Sequence, residues 1–349
     1  MKPFNLNDEL RSHIKNIKPY SSARHEFTGT AAIFLDANEN PYPGQFNRYP
    51  DPDQTALKKI ISEIKEIPVE NIFLGNGSDE AIDLLVRAFC EPGKDQIITN
   101  PPTYGMYKVV ASINNIFNRE VYLKPDFSLP VNEILDSITP QTKIIFICSP
   151  NNPTGNSFPT EDLIKIIRES GKLVVVDEAY IDFSSQESLT ALRGFPNLVV
   201  LQTLSKAYGM AGLRIGLAAG PTDIIKVLNC IKPPYNISSA SINAAIEILS
   251  NPNIINSHRE EIIREREKLS SELTSLEFVK EVFPGDANFL LVRVDDARSC
   301  YLFLKDNGII VRDRSAEVNC SGCIRISIGT PNENQTLLET LKKFQSQNP

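Results

Sequence analysis

The chain has no apolar run of the roughly 20 residues that a bilayer-spanning helix needs, so no segment reads as a transmembrane helix. Its first stretch, Met1 to Lys18, is polar and carries both signs of charge. It lacks the apolar centre of a secretory signal, and the expected location is the cytoplasm. Basic excess is missing too. With 36 Lys and Arg against 43 Asp and Glu, the net charge is -7. Such a chain has no general attraction for nucleic acid or an anionic membrane, and an anionic substrate would need a local basic pocket. Histidine is scarce, at three residues, and the six cysteines are scattered. Cys320 and Cys323 have C-x-x-C spacing, but no second ligand pair at matching spacing accompanies them. A turn before a strand is the expected reading, and no metal is expected. Internal repeats and low-complexity tracts are absent.

What is present is an alternation of helical and strand-like stretches. A length of 349 residues corresponds to about two domains. Residues 79–90 have apolar positions at helical spacing, after Gly75-Asn76-Gly77-Ser78 and before Pro92-Gly93. Strands are expected at 96–99, 119–123, 143–148, 173–176, 198–201 and 215–219, with helices at 104–113, 131–138 and 160–169 between them. Continuous apolar strands separated by helices imply a mainly parallel sheet buried on both faces, an α/β fold. Ligands bind such sheets at the carboxyl ends of strands, which singles out Pro150 to Gly155, Asp177 to Tyr180 and Ser205-Lys206. After Pro233-Pro234 the pattern changes to a smaller α+β unit. It has helices at 240–249, 254–273, 301–305 and 335–344, and strands at 289–294, 309–312 and 324–328. The charged run from Arg259 to Lys268 has the i, i+4 spacing of a solvated helix face.

The densest signal is Thr203-Leu204-Ser205-Lys206-Ala207-Tyr208-Gly209-Met210-Ala211-Gly212-Leu213-Arg214-Ile215-Gly216. A lysine just after a buried strand can condense with an aldehyde once desolvation and a nearby cation lower its pKa. Ser205 and Arg214 beside it can hold a phosphate. Aldehyde and phosphate on one small molecule describe pyridoxal 5'-phosphate. That group also requires a carboxylate to keep its ring nitrogen protonated, so that the ring accepts electrons. Asp177 leaves a buried strand and must find a partner there; a structural salt bridge is the plainer alternative. The helix start at Ser78 and Asp79 offers backbone donors suited to phosphate, although glycines with an Asp or Ser cap also begin many ordinary helices.

Together these segments resemble the fold type I pyridoxal-phosphate aminotransferases over nearly the whole chain. Within them the resemblance is to the histidinol-phosphate aminotransferase subfamily of histidine biosynthesis. The shared segments include Asp177-Glu178-Ala179-Tyr180, Ser149-Pro150-Asn151-Asn152-Pro153-Thr154-Gly155, Lys18 to Arg24, Leu35 to Pro41, Asn47 to Pro52, Gly308 to Arg312 and Cys323 to Thr330. The resemblance implies a larger domain with a mainly parallel seven-stranded sheet flanked by helices, at 41–240, and a smaller α+β domain at 241–349. Residues 1–40 would form an arm packing with the small domain or a partner subunit. It further implies Lys206 as the cofactor-bearing catalytic lysine and Asp177 at the ring nitrogen. Tyr180 and Asn152 would face the phenolate oxygen and Tyr104 would stack on the ring. Ser78, Asp79, Ser205 and Arg214 would surround the phosphate, which Tyr49 would reach from the neighbouring subunit of a homodimer. Arg325 would grip the carboxylate of L-glutamate or 2-oxoglutarate and, in turn, the phosphate of L-histidinol phosphate. Tyr20, Arg24, Asn38 and Arg312 complete the expected substrate site. A threonine-phosphate decarboxylase and an aminotransferase for aromatic or other amino acids share much of this pattern. A non-catalytic cofactor-binding regulator would need a DNA-binding segment, for which no helix-turn-helix or basic stripe is evident.

Overall fold

The computed structural model describes residues 1–18, 33–191 and 194–347. The larger sheet contains β1 (Ile72–Asn76), β2 (Gln96–Thr99), β3 (Phe117–Glu120), β4 (Thr142–Cys148), β5 (Leu173–Asp177), β6 (Leu198–Thr203) and β7 (Ile215–Ala219). Their spatial order is β1-β7-β6-β5-β4-β2-β3. Strands β6, β5, β4, β2 and β3 run parallel, and β7 is antiparallel to both neighbours. Burial on both faces explains the unbroken apolar runs. Ile144, Phe146, Leu173, Val175, Val199 and Leu201 lie in one core, and Ile145, Ile147, Val174, Val176, Leu198 and Val200 in the other.

Helices cover both faces. On the first lie α1 (Leu6–Glu9), α3 (Ser78–Phe89), α4 (Met106–Ile113) and α7 (Thr222–Ile231); on the second lie α5 (Val131–Asp136) and α6 (Thr160–Ser170). Helix α2 (Thr55–Lys65) packs with β1 and β7 through Leu57 and Ile61. Helix α6 buries Leu163, Ile166, Ile167 and Ser170, one face at helical spacing, and ends at Gly171 with φ 64°. Only a residue free of Cβ crowding adopts that φ readily, so the glycine terminates the helix.

The smaller sheet has β8 (Val279–Val282), β9 (Phe289–Val294), β10 (Arg312–Asp313) and β11 (Cys323–Ser327) in the order β10-β11-β9-β8, all antiparallel. Its Leu290, Val292, Ile324 and Ile326 are buried with residues of α9 (Pro252–Thr274), α10 (Ala297–Asp306) and α11 (Pro331–Gln347). Its opposite face turns to the larger sheet: Leu291 and Cys323 join the core of β4 to β6, and Phe289 packs with Tyr180 and Phe183. The two parts touch at a glycine pair. A Cβ at Gly155 would lie 3.3 Å from the Gly285 Cα, and the Asp286 amide donates to the Gly155 carbonyl at 2.7 Å. Helix α8 (Ser239–Leu249) packs under β1 and β7 through Ile242, Ala245 and Leu249.

Several expectations need correction. The strand expected at 309–312 is only Arg312–Asp313, because Gly308 turns the chain with φ 79° and Ile310 points to solvent, 74% exposed. The strand expected at 119–123 begins at Phe117 and ends at Glu120. At the start of the chain, Phe4, Leu6, Leu10 and Ile14 pack on the larger sheet's core, not on the smaller domain. Glu9 fixes them by pairing with Lys143 at 3.0 Å and Lys172 at 3.1 Å. Among the described residues, no helix is long and apolar enough to cross a membrane.

Candidate active site

The carboxyl ends of β4, β5 and β6 converge on one narrow cleft. It is lined by Ser78, Asp79, Tyr104, Asn152, Asp177, Tyr180, Ser205, Lys206 and Arg214, among others. All nine are residues that the sequence singled out.

Lys206 sits in a turn between β6 and β7 that is closed by backbone bonds. The Leu204 amide donates to Ile215 O at 3.0 Å and the Gly209 amide to Lys206 O at 3.1 Å. Thr203 Oγ1 accepts the Ser205 amide at 3.1 Å. The amine lies 5.7 Å from the centre of the Tyr180 ring. Its pKa is lowered, first by burial at the cleft and then by the charges of Arg325 and Arg214, with Asp79 and Asp177 opposing. A lysine so placed holds more of its amine unprotonated than a surface lysine does.

Asp177 is the last residue of β5 and is 2% exposed. Tyr107 donates its hydroxyl to it at 2.7 Å, and the Ala179 amide donates at 3.1 Å. Burial dominates over both bonds and pushes its carboxyl up to about 6. A buried carboxylate held by two neutral donors, with Lys206 only a minor influence on it, is short of a cationic partner among the described residues. Tyr107 was not anticipated. It occupies the buried face of α4, stacked on Phe146 at 4.9 Å, one helical turn beyond Tyr104.

On the other wall, Asn152 Nδ2 donates to the Tyr180 hydroxyl at 3.3 Å, and Arg325 donates to the Asn152 Oδ1. That bond brings the smaller sheet into the cleft. Arg325 also lies over Phe289, 5.2 Å from ring centre, and Phe289 meets Tyr180 edge to face at 5.2 Å.

The start of α3 forms a cup against β7. Arg214, in the left-handed region with φ 55°, accepts the Gly77 amide at 2.8 Å and pairs with Asp79 at 3.4 Å. Asp79 also accepts the Tyr104 hydroxyl at 3.0 Å. Gly216 is required here, since any Cβ on it would collide with the backbone of Gly77 and Ser78. The Ser205 hydroxyl, beside this cup, is buried with no hydrogen-bond partner among the described residues. An unpaired buried hydroxyl, free helix-start amides and a guanidinium suit a phosphate. With Asp177 lacking a cation and Lys206 poised for an aldehyde, the residues fit pyridoxal phosphate.

The remaining expected residues lie elsewhere. Tyr49 is 51% exposed and stacks on Tyr235 at 4.4 Å, in a surface groove that it shares with Asn38. Neither lines the Lys206 cleft of the same chain. Arg312 is exposed but opposes Arg325 across β10 and β11. Tyr20 and Arg24 lie outside the described residues. Cys320 and Cys323 form the expected turn, with the Cys323 amide donating to Cys320 O at 2.9 Å.

The family model for aminotransferases of class I and II matches residues 31–341. The chain belongs to that family. It is 50% identical to the histidinol-phosphate aminotransferase of Christiangramia forsetii over 350 aligned residues, covering 99% of this chain and 100% of that one. Among solved structures it is similar to the histidinol-phosphate aminotransferase of Clostridium acetobutylicum. The TM-score there is 0.79 at 25% identity, over 86% of this chain and 92% of that one. The fold is shared with the histidinol-phosphate aminotransferase of Sinorhizobium meliloti in complex with pyridoxal-5'-phosphate. That comparison gives a TM-score of 0.80 at 23% identity, over 86% and 84% of the two chains. These matches agree with the α/β fold and the aminotransferase activity expected from the sequence.

Proposed function

We propose that this aminotransferase exchanges an amino group between L-histidinol phosphate and 2-oxoglutarate, giving imidazole acetol phosphate and L-glutamate, with pyridoxal 5'-phosphate as cofactor. The observation that carries the proposal is the chain of contacts from Lys206 through Tyr180 and Asn152 to Arg325. It places an anion-binding guanidinium in reach of the cleft that holds the amine. The curated relative at half identity over its full length supports the choice of substrate.

When bound, the cofactor supplies an electron sink for the carbanion formed at the substrate carbon. The Lys206 amine holds the cofactor's aldehyde carbon at rest. The same amine would serve as general base and acid, carrying a proton at the reacting carbon. Burial and the charges of Arg325 and Arg214 lower its pKa, which favours the unprotonated amine. Asp177 keeps the ring nitrogen protonated, and Tyr107 fixes the carboxylate that does so. Asn152 and Tyr180 orient the ring through its phenolate oxygen, and Tyr104 covers it. Ser78, Asp79, Ser205 and Arg214 anchor the phosphate. Arg325 forks onto the carboxylate of one substrate and the phosphate of the other, with Arg312 beside it. Tyr20, Arg24 and Asn38 complete this site. The chain acts as a cytoplasmic homodimer in which Tyr49, exposed and remote from its own Lys206, serves the partner's phosphate cup. Residues 41–240 form the cofactor domain, on which α8 and Phe4 to Ile14 also pack; the rest of 241–349 forms the small domain, and 1–40 an arm.

The loaded protein tests this directly by its visible absorption. L-Histidinol phosphate should bleach the aldehyde band, and 2-oxoglutarate should restore it. A band indifferent to L-histidinol phosphate but responsive to another amine would keep the family and discard the substrate.

A further inference from the structure

Four arginines share one face of the smaller sheet; Arg293, opposite Cys323, pairs with Glu281 at 2.8 Å, and the other three lie along β10 and β11 and just beyond β10. Arg312 lies directly opposite Arg325, and Asp313 opposite Ile324. Arg314 continues the register, its amide donating to Cys323 O at 2.9 Å. Side chains alternate along strands, and diagonal neighbours stay within reach of long side chains. Arg312 and Arg314 therefore project on the side of Arg325 and Cys323. This is the side turned to the larger sheet, since Cys323 is buried with the residues of β4 to β6 and Ile324 with the helices behind.

The charges there are unevenly matched. Arg325 bonds the neutral Asn152 and lies over the Phe289 ring. Arg314 pairs with Glu317 at 2.7 Å, three residues along the same turn. Among the described residues, the Nε atoms of Arg314 and Arg325 have no hydrogen-bond partner, and both are buried. Buried donors normally find acceptors. Two unpaired guanidinium donors on one face point to an acceptor that arrives with a ligand. Arg314 is felt at Arg325: after burial, its charge is the largest influence lowering the Arg325 pKa.

We propose that Arg314 is a specificity-determining residue that turns from Glu317 to the phosphate end of the amine substrate, adding a second guanidinium to that of Arg325. The inference rests on the transamination proposed above. A phosphate monoester carries about -1.5 to -2 charges near pH 7, where a carboxylate carries one. Arg325, with Arg312 beside it, matches the carboxylate of 2-oxoglutarate, and Arg314 then stays with Glu317. The phosphate draws both arginines. One pocket thus accepts two anions of different charge in alternation.

The test measures kcat/KM for L-histidinol phosphate and for 2-oxoglutarate separately, on the holoenzyme and its R314Q, R314K and E317Q variants. R314Q should lower the value for L-histidinol phosphate about tenfold, the scale of one charge-assisted bond, and that for 2-oxoglutarate by less than about twofold. R314K should recover part of the loss. E317Q, which frees Arg314, should raise the value for the phosphorylated substrate only. An R314Q variant that loses both values equally, or neither, overturns the role of Arg314, as does an E317Q variant impaired toward the phosphorylated substrate. Wild-type protein inactive on L-histidinol phosphate would instead sink the substrate assignment, and Arg314's role with it.

Discussion

Replacing Asp177 by asparagine should make the cofactor-free protein more stable while destroying its use of the cofactor. Asp177 is buried beneath the cleft, and burial raises its carboxyl from an ordinary 3.8 to about 6. At about 1.4 kcal/mol per tenfold change in proton affinity, that rise corresponds to about 3 kcal/mol. Its sign follows from proton counts. Below about pH 4 the carboxyl is protonated in folded and unfolded chains alike, and contributes nothing. Between about 4 and 6 the folded chain retains a proton that the unfolded chain has released, so stability falls as pH rises. Above about 6 the full cost of about 3 kcal/mol is present. Asparagine is uncharged and can still accept from Tyr107 or the Ala179 amide, so D177N escapes most of that cost. Urea unfolding of the two cofactor-free proteins at pH 4 and pH 8 checks this. The variant should gain on wild type by about 1–3 kcal/mol between those two pH values. Glu178, also buried and raised to about 7, adds a similar dependence to both proteins and cancels in the difference. A D177N protein that is less stable than wild type at pH 8, or a gap independent of pH, would refute the reasoning.

Tyr107→Phe leaves the Asp177 carboxylate without its 2.7 Å donor and should cost about 1–3 kcal/mol of stability at pH 8, read in the same urea experiment. Gly216→Ala forces a Cβ into the Gly77 and Ser78 backbone; it should destabilise by about 1–3 kcal/mol and weaken cofactor binding, followed by fluorescence titration. Lys206→Ala should lower turnover by at least about 10²–10⁴-fold, the span of a lost general acid and base. Mixed with Y49A, which leaves its own Lys206 intact, K206A should regain activity through hybrid dimers. No gain on subunit exchange would rule out Tyr49 acting across subunits.

Much of this architecture is readable in the residues. Strands β4, β5 and β6 are buried on both faces and stand out as unbroken apolar runs, and Asp177 and Lys206 mark where two of them end. Strand β1 escaped notice because its Gly75 and Asn76 merge with the glycine turn that follows. Helices α2 and α7 were equally unmarked. At β10, a two-residue strand held by pairing with β11 replaces the longer run that Ile309 and Ile310 suggested, because local hydrophobicity does not reveal that Ile310 faces solvent. In the site, residues within motifs were legible, whereas Tyr107 and Arg314 were not. Their importance comes from which face of α4, and of the segment continuing β10, they occupy, and facing is fixed by tertiary contact. Tyr49 and Asn38 show the reverse: their motifs are plain, but within one chain they lie away from the Lys206 cleft.

The central claim is transamination of L-histidinol phosphate, and the most direct test is product stoichiometry. Loaded protein is supplied with L-histidinol phosphate and 2-oxoglutarate, and L-glutamate is counted against amine consumed. The account predicts one L-glutamate per L-histidinol phosphate and no carbon dioxide. Carbon dioxide released from threonine phosphate, with no L-glutamate formed from L-histidinol phosphate, would contradict it.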